Sequence, residues 1–256
     1  MKLNHKTFGD SNNQVLIILH GLLGSLNNWQ TLAKHFVDAG LYVITVDQRN
    51  HGKSPHSDEW SYELMAQDLK NIIDSQQLAS PIILGHSMGG KTVMRFAQDY
   101  PTIAKKIIVA DISPRQYGLH HQSILKGLNE IDVKNIKSRK EADEVLSKYV
   151  NGVGERQFLL QNLERATKGF NWKMNLDIIT KNISIIGEAQ IPDSTISTPI
   201  LFIRGGNSGY IATEDEMIIS QYFNQSAIKT IPDAGHWLHA EQPKVFFDMV
   251  INFIKD

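Results

Sequence analysis

The 256 residues carry 26 Lys and Arg against 27 Asp and Glu, so the chain offers no basic face to nucleic acid or anionic membrane. No apolar run reaches the roughly 18 residues a bilayer span needs, and residues 1–6 lack an apolar signal core. Cysteine is absent, which removes thiol nucleophiles, thiolate-bound zinc and disulfides, and fits the reducing cytoplasm expected here.

In chain order, Leu3–Phe8 reads as an antiparallel edge strand. Short apolar runs at Val15–Leu19, Tyr42–Val46, Ile82–Leu84, Ile107–Ala110, Ile200–Ile203 and Ala227–Ile231 read as buried strands. Helical spacing fills the intervals at Trp29–Val37, Tyr62–Leu78, Met88–Gln98, Thr213–Phe223 and Val245–Ile254. The alternation predicts an α/β fold, a mostly parallel sheet covered by helices on both faces. Residues 114–198 break this rhythm with no predicted strand and four helical stretches: Leu119–Ile131, Arg139–Val150, Glu155–Ala166 and Leu176–Ile186. The expected organisation is a core of residues 1–113 and 199–256, with residues 114–198 as a helical cap over the carboxyl ends of the strands.

The strand Ile82–Leu84 runs into Gly85-His86-Ser87-Met88-Gly89-Gly90 and then a helix. Gly-x-Ser-x-Gly between strand and helix is a nucleophile-elbow pattern, in which small flanking residues let a strained turn lift the serine hydroxyl above the sheet. The pentapeptide alone is a weak signal, and a plain glycine turn would also produce it. Its strand-turn-helix context makes Ser87 the candidate nucleophile.

A serine hydroxyl needs a base, and the base needs an orienting acid. His236, in Asp233-Ala234-Gly235-His236-Trp237, follows the last predicted strand and is expected at the same sheet edge as Ser87. His120 and His121 lack a third metal ligand at useful spacing, and no metal is expected. His86 adjoins Ser87 but is expected to point away from it. The acid commonly follows the strand Ile200–Ile203, yet that loop reads Arg204-Gly205-Gly206-Asn207-Ser208-Gly209-Tyr210 and holds no carboxylate. Asp111 ends the neighbouring strand about 4.8 Å away and becomes the favoured acid. Glu214, Asp215 and Glu216 are the alternatives, and they also fit the acidic first turn of a helix.

An oxyanion hole needs two backbone N–H donors. Met88 follows the nucleophile and supplies one; the glycine-flanked loop His20-Gly21-Leu22-Leu23-Gly24-Ser25 supplies the other, expected from Leu22. Tyr117 and Trp237 are expected to shape the substrate pocket. Gly52-Lys53-Ser54 mimics the end of a phosphate loop, but Asp47 stands where its first glycine belongs, so a structural loop is expected, with Arg49 and His51 holding neighbouring loops.

These segments (His20–Ser25, Asp47–Ser54, Gly85–Lys91, Ala110–Pro114, Gly205–Tyr210 and Ala234–Ala240) resemble the α/β-hydrolase superfamily, in particular its YbfF-type esterase group. The resemblance spans both halves of the chain, and residues 114–198 fit in length more than in motif. It implies a cytoplasmic carboxylesterase acting on short acyl esters, with acyl-CoA thioesters as a further substrate class and no cofactor. In that group the acid comes from the strand before the cap, in agreement with Asp111. Other readings of the same scaffold are a carbon–carbon bond hydrolase, a perhydrolase, a lyase or a ligand sensor without turnover.

Overall fold

The computed structural model describes all residues, Met1–Asp256. Its strands are β1 (His5–Phe8), β2 (Gln14–Leu19), β3 (Leu41–Val46), β4 (Ile82–His86), β5 (Lys106–Ala110), β6 (Leu163–Arg165), β7 (Phe170–Trp172), β8 (Ile200–Gly205) and β9 (Ser226–Ile231). Seven form one sheet in the order β1-β3-β2-β4-β5-β8-β9, and β6 pairs with β7 alone. Within the seven-stranded sheet only β1 is antiparallel, running along β3. The helices are α1 (Gln30–Asp38), α2 (Tyr62–Ser75), α3 (Met88–Asp99), α4 (Gln122–Asn129), α5 (Arg139–Leu146), α6 (Val153–Leu160), α7 (Leu176–Lys181), α8 (Ile183–Ile186), α9 (Asp215–Tyr222), α10 (Leu238–Glu241) and α11 (Pro243–Lys255).

The period-two alternation of side chains builds two cores from the same strands. Ile17 and Leu19 of β2 face a layer made by Leu69 and Ile72 of α2 and Val93 and Phe96 of α3. Leu16 and Ile18 face the opposite layer, made by Leu32 and Phe36 of α1 and Phe246 and Val250 of α11. Strands buried on both faces read as continuous apolar runs, which is why Val15–Leu19 and Ile82–Leu84 stand out in the sequence.

Strand order reverses direction at β2, which has β3 on one side and β4 on the other. Loops leaving β2 and β4 therefore diverge and open a crevice at the carboxyl edge, where α/β sheets bind ligands. Register then sets the level of each site residue. His86 pairs with Ala110 and Ala110 with Ile203, so Ser87, Asp111 and Arg204 follow at one height on three adjacent strands.

Residues between β5 and β8 form an insertion that differs from its expected all-helical form. Its third helix stops at Leu160, and a hairpin of β6 and β7 follows, closed through Gly169 at φ +63°. Each strand has three residues, too few for alternation to show in the sequence. The stretch expected as one helix over Leu176–Ile186 is broken at Asn182, whose side-chain amide donates to the Ile178 carbonyl. The insertion packs its own apolar residues, among them Leu128, Leu146 and Leu163, against Tyr62, Met65 and Met88 of the core. Met88 thus joins α3 to the inserted layer.

Candidate active site

Ser87 is the last residue before α3, with φ 53° and ψ −117°. A non-glycine residue in this region costs about 1–3 kcal/mol and persists only where the surroundings impose it. Here the turn is clamped by close backbone approach. A Cβ on Gly85 would lie 2.1 Å from the Gly89 carbonyl oxygen, and one on Gly89 would lie 2.6 Å from that of Leu19. The Ser87 side chain caps no helical N–H and lines the cleft instead.

Asp111 follows β5, fully buried, and is itself left-handed at φ 50°. Its carboxylate accepts the Gly205 N–H at Oδ1 (2.9 Å) and the Ser208 hydroxyl at Oδ2, with His236 Nδ1 2.8 Å from the same Oδ2. The last residue of β8 and the acid-free loop after it each supply one donor that holds the carboxylate from the next strand. A serine in a glycine-rich loop has no local signature, so residue order does not single out Ser208 or Gly205 as partners of Asp111. Two of the three alternative acids are engaged elsewhere: Asp215 pairs with Arg115 at 2.9 Å and accepts the Ala212 N–H, and Glu216 pairs with Arg204 at 2.7 Å, while Glu214 stands at the N-cap of α9.

His236 lies in the loop before α10, its ring stacked on Tyr210 at 4.0 Å between centroids. An anionic oxygen facing Nδ1 keeps the ring proton there and leaves Nε2 as the proton acceptor. Ser87 and His236 line the same cleft of about 280 Å³. No hydrogen bond joins the Ser87 hydroxyl to the ring at rest, and such contacts commonly tighten only around bound substrate.

His86 does not point away. Its Nε2 donates to the His236 carbonyl at 2.8 Å, its ring packs 4.8 Å from the His236 ring and 4.6 Å from that of His239, and it lines the cleft. Burial, reinforced by His239 and His236, holds its pKa well below the usual imidazole range, and burial pulls His239 down to about 3. Both rings are neutral at physiological pH. His86 is the last residue of β4, still paired with Ala110, and the loop that carries His236 closes over its ring, which no pattern around Ser87 announces.

The loop after β2 is held by two residues of the loop after β3, Gln48 and His51. Gln48 donates its N–H to His20 Nε2 (3.0 Å) and its amide to the His20 carbonyl (2.6 Å). His51 accepts the Leu23 N–H at Nε2 (3.2 Å) and donates from Nδ1 to the Arg49 carbonyl (2.9 Å). Burial, with His20 adding to it, pulls His51 down to about 3, so it stays a neutral acceptor. Arg49 anchors the loop after β3 itself, to Asp68 of α2 (2.7 Å) and to the Glu59 carbonyl (2.8 Å). With the Leu23 N–H committed to His51, the Leu22 N–H has no partner within the chain, and neither has that of Met88 at the start of α3. Leu22 lines the main cleft and Met88 a smaller cavity of about 20 Å³, with Ser87 on the wall of both. Gly52, at φ +58°, folds against Asp47, which accepts the N–H groups of Leu26 and Lys53; this is a structural turn.

Tyr117 lines the small cavity, with its hydroxyl accepting the Ser113 N–H at 2.8 Å and donating to the Tyr210 carbonyl. Trp237 lines the main cleft opposite Phe158 of α6, with ring centroids 5.7 Å apart. The arrangement as a whole places a hydroxyl at the junction of two cavities, an oriented imidazole and the unpaired Leu22 N–H on the larger one, and the unpaired N–H of Met88 on the smaller.

Residues 14–128 match the alpha/beta hydrolase fold family. The chain is 39% identical over 253 residues to the sn-1-specific diacylglycerol lipase ABHD11 of Mus musculus, covering 96% of this chain and 82% of that protein. It is 33% identical over 261 residues to esterase YbfF of Escherichia coli (strain K12), covering the full length of both. Among solved structures, a marine microorganism esterase superposes with a TM-score of 0.95 at 44% identity, covering 98% of this chain and 99% of that one. On the fold, the motifs and these relatives, the chain belongs to the α/β-hydrolase superfamily, in the group that includes esterase YbfF.

Proposed function

We propose that the protein is a serine carboxylic ester hydrolase that cleaves short acyl esters through an acyl-enzyme on Ser87. The observation that carries this reading is the 2.8 Å contact between Asp111 and His236 on the rim of the cleft that Ser87 enters from a strained turn. In this mechanism His236 Nε2 takes the Ser87 proton as Oγ attacks the acyl carbon. Asp111 holds the ring tautomer and balances the imidazolium charge. The N–H groups of Leu22 and Met88 receive the oxyanion. His236 then protonates the departing alcohol, and the same ring activates the water that releases the acid. Residues 114–198 act as a cap that walls the cleft with Ile124, Phe158 and Leu159.

Similarity to proteins named esterase and diacylglycerol lipase supports an ester substrate, and thioesters share the same acyl chemistry. A cytoplasmic setting is part of the proposal, carried from the resemblance and tested by cell fractionation. The direct test is labelling with a fluorophosphonate followed by peptide mapping, alongside turnover of 4-nitrophenyl acetate. Modification at Ser87 with steady turnover is the expected result. A stable acyl adduct after a single turnover would instead indicate a ligand sensor.

A further inference from the structure

Four residues wall both the main cleft and the small cavity beside it: Ser87, His120, His121 and Tyr210. The two cavities meet at Ser87, where the acyl and leaving groups of an ester part. Tyr210 is spent on stacking against the His236 ring, and His120 is exposed. His121 is half-buried at the head of α4, on the insertion. Capping is the ordinary reason for a polar residue there, yet its side chain accepts no helical N–H. Among the histidines only His239 seals a ring nitrogen, Nδ1, away from water without a partner; the nitrogens of His121 stay open to the cavities. Burial, then the neighbouring His236 and His120, pull the pKa of His121 down to about 4. The ring is thus neutral at physiological pH and stands within charge range of the His236 imidazole. A neutral imidazole keeps one N–H donor and one acceptor.

The proposed mechanism leaves one polar atom of the ester only half served. The carbonyl oxygen goes to the Leu22 and Met88 N–H groups. The leaving oxygen faces His236, which gives it a proton, and has a second lone pair free. We infer that His121 donates a hydrogen bond to that leaving oxygen as the carbon–oxygen bond breaks. The inference rests on the ester-hydrolase reading. His121 keeps its own proton; the bond electrons go to the oxygen, and the proton on the departing alcohol comes from His236. The added donor steadies the charge that gathers on the oxygen before that transfer is complete.

The test changes the leaving atom and nothing else. Ethyl butyrate and S-ethyl thiobutyrate share both alkyl parts, and divalent sulfur is a weak hydrogen-bond acceptor. In kcat/KM, His121→Phe, which keeps a ring without nitrogen, should lose about tenfold on the oxygen ester and no more than about twofold on the thioester. His121→Ala should show the same bias. His121→Gln, with an N–H at its tip, should bring the oxygen ester back to within about threefold of wild type. Equal losses on both substrates in all three variants mark a purely structural role and overturn the inference. An unchanged oxygen-ester rate in His121→Phe and His121→Ala overturns it as well. Either result leaves ester hydrolysis standing. Failure of the wild-type protein to turn over either substrate, together with no fluorophosphonate labelling of Ser87, overturns the underlying reading and this one with it.

Discussion

Replacing Asp111 by asparagine keeps the shape of the side chain and removes its charge, and the surrounding donors dictate how the amide must sit. The Gly205 N–H lies 2.9 Å from Oδ1, so the amide oxygen takes that place. The amide NH2 then faces Ser208 and His236 Nδ1 at the 2.8 Å position. Facing a donor, the ring holds its proton on Nε2, the nitrogen that has to accept the Ser87 proton. The variant thus loses both the tautomer and the counter-charge. In a protease triad the same exchange costs about 10⁴ in turnover, which corresponds to about 5 kcal/mol of barrier. Turnover of 4-nitrophenyl acetate by Asp111→Asn should fall by that order, with a thermal midpoint close to wild type because no volume is lost. A rate within about tenfold of wild type would refute the assignment, and so would a deeper loss in Asp215→Asn. Asp215 is tied to Arg115 and the Ala212 N–H, so its replacement should show in stability before it shows in rate.

Ser87→Ala should abolish fluorophosphonate labelling and ester turnover while leaving the circular dichroism spectrum unchanged. Ser208→Ala removes one of the donors that hold Asp111 and should lower kcat about tenfold, a loss of about 1.4 kcal/mol, with little change in KM. Gly85→Ala drives a methyl group into the Gly89 carbonyl, a backbone atom that cannot swing aside, and should destabilise by about 3 kcal/mol in urea titration. Lys91 is buried on α3, where it donates to the Arg115 carbonyl at 2.8 Å and to that of Glu188; burial, and Arg115 after it, pull its pKa to about 7. Between pH 7 and the ordinary lysine value near 10.4, the unfolded chain holds a proton that the folded chain has released, so stability rises with pH. From pH 7 to 9 its contribution should be about 2 kcal/mol, and Lys91→Met should flatten the rise; an identical pH profile in the variant would exclude this origin.

The sheet, its helices and the strained turn at Ser87 could be read from residue order because each depends on short-range pattern. Val15–Leu19 and Ile82–Leu84 are apolar without interruption, which marks strands buried on both faces, and their observed limits differ from the expected ones by no more than two residues. The glycines around Ser87 mark a turn too tight for side chains. The approach of Asp111 to His236 is legible in the missing carboxylate after Ile203 and in strand spacing, both properties of residue order.

Contacts across the sheet edge were beyond that reading, because they depend on where separate loops meet. Ser208 and Gly205 hold Asp111 from 94 or more residues away in sequence, and no local pattern announces a partner at that distance. His86 faces His236 because the loop after β9, 150 residues further on, packs its carbonyl against the His86 ring nitrogen. The β6–β7 hairpin and the break at Asn182 arise in an insertion whose segments are short and stabilised by packing on Met65 and Met88 rather than by propensity. Residue order alone thus specifies elements and the strained turn, since backbone sterics and side-chain period act over a few residues. Loop placement, ring orientation and the charge of the cleft belong to the folded chain, since they depend on which distant groups pack together and exclude water.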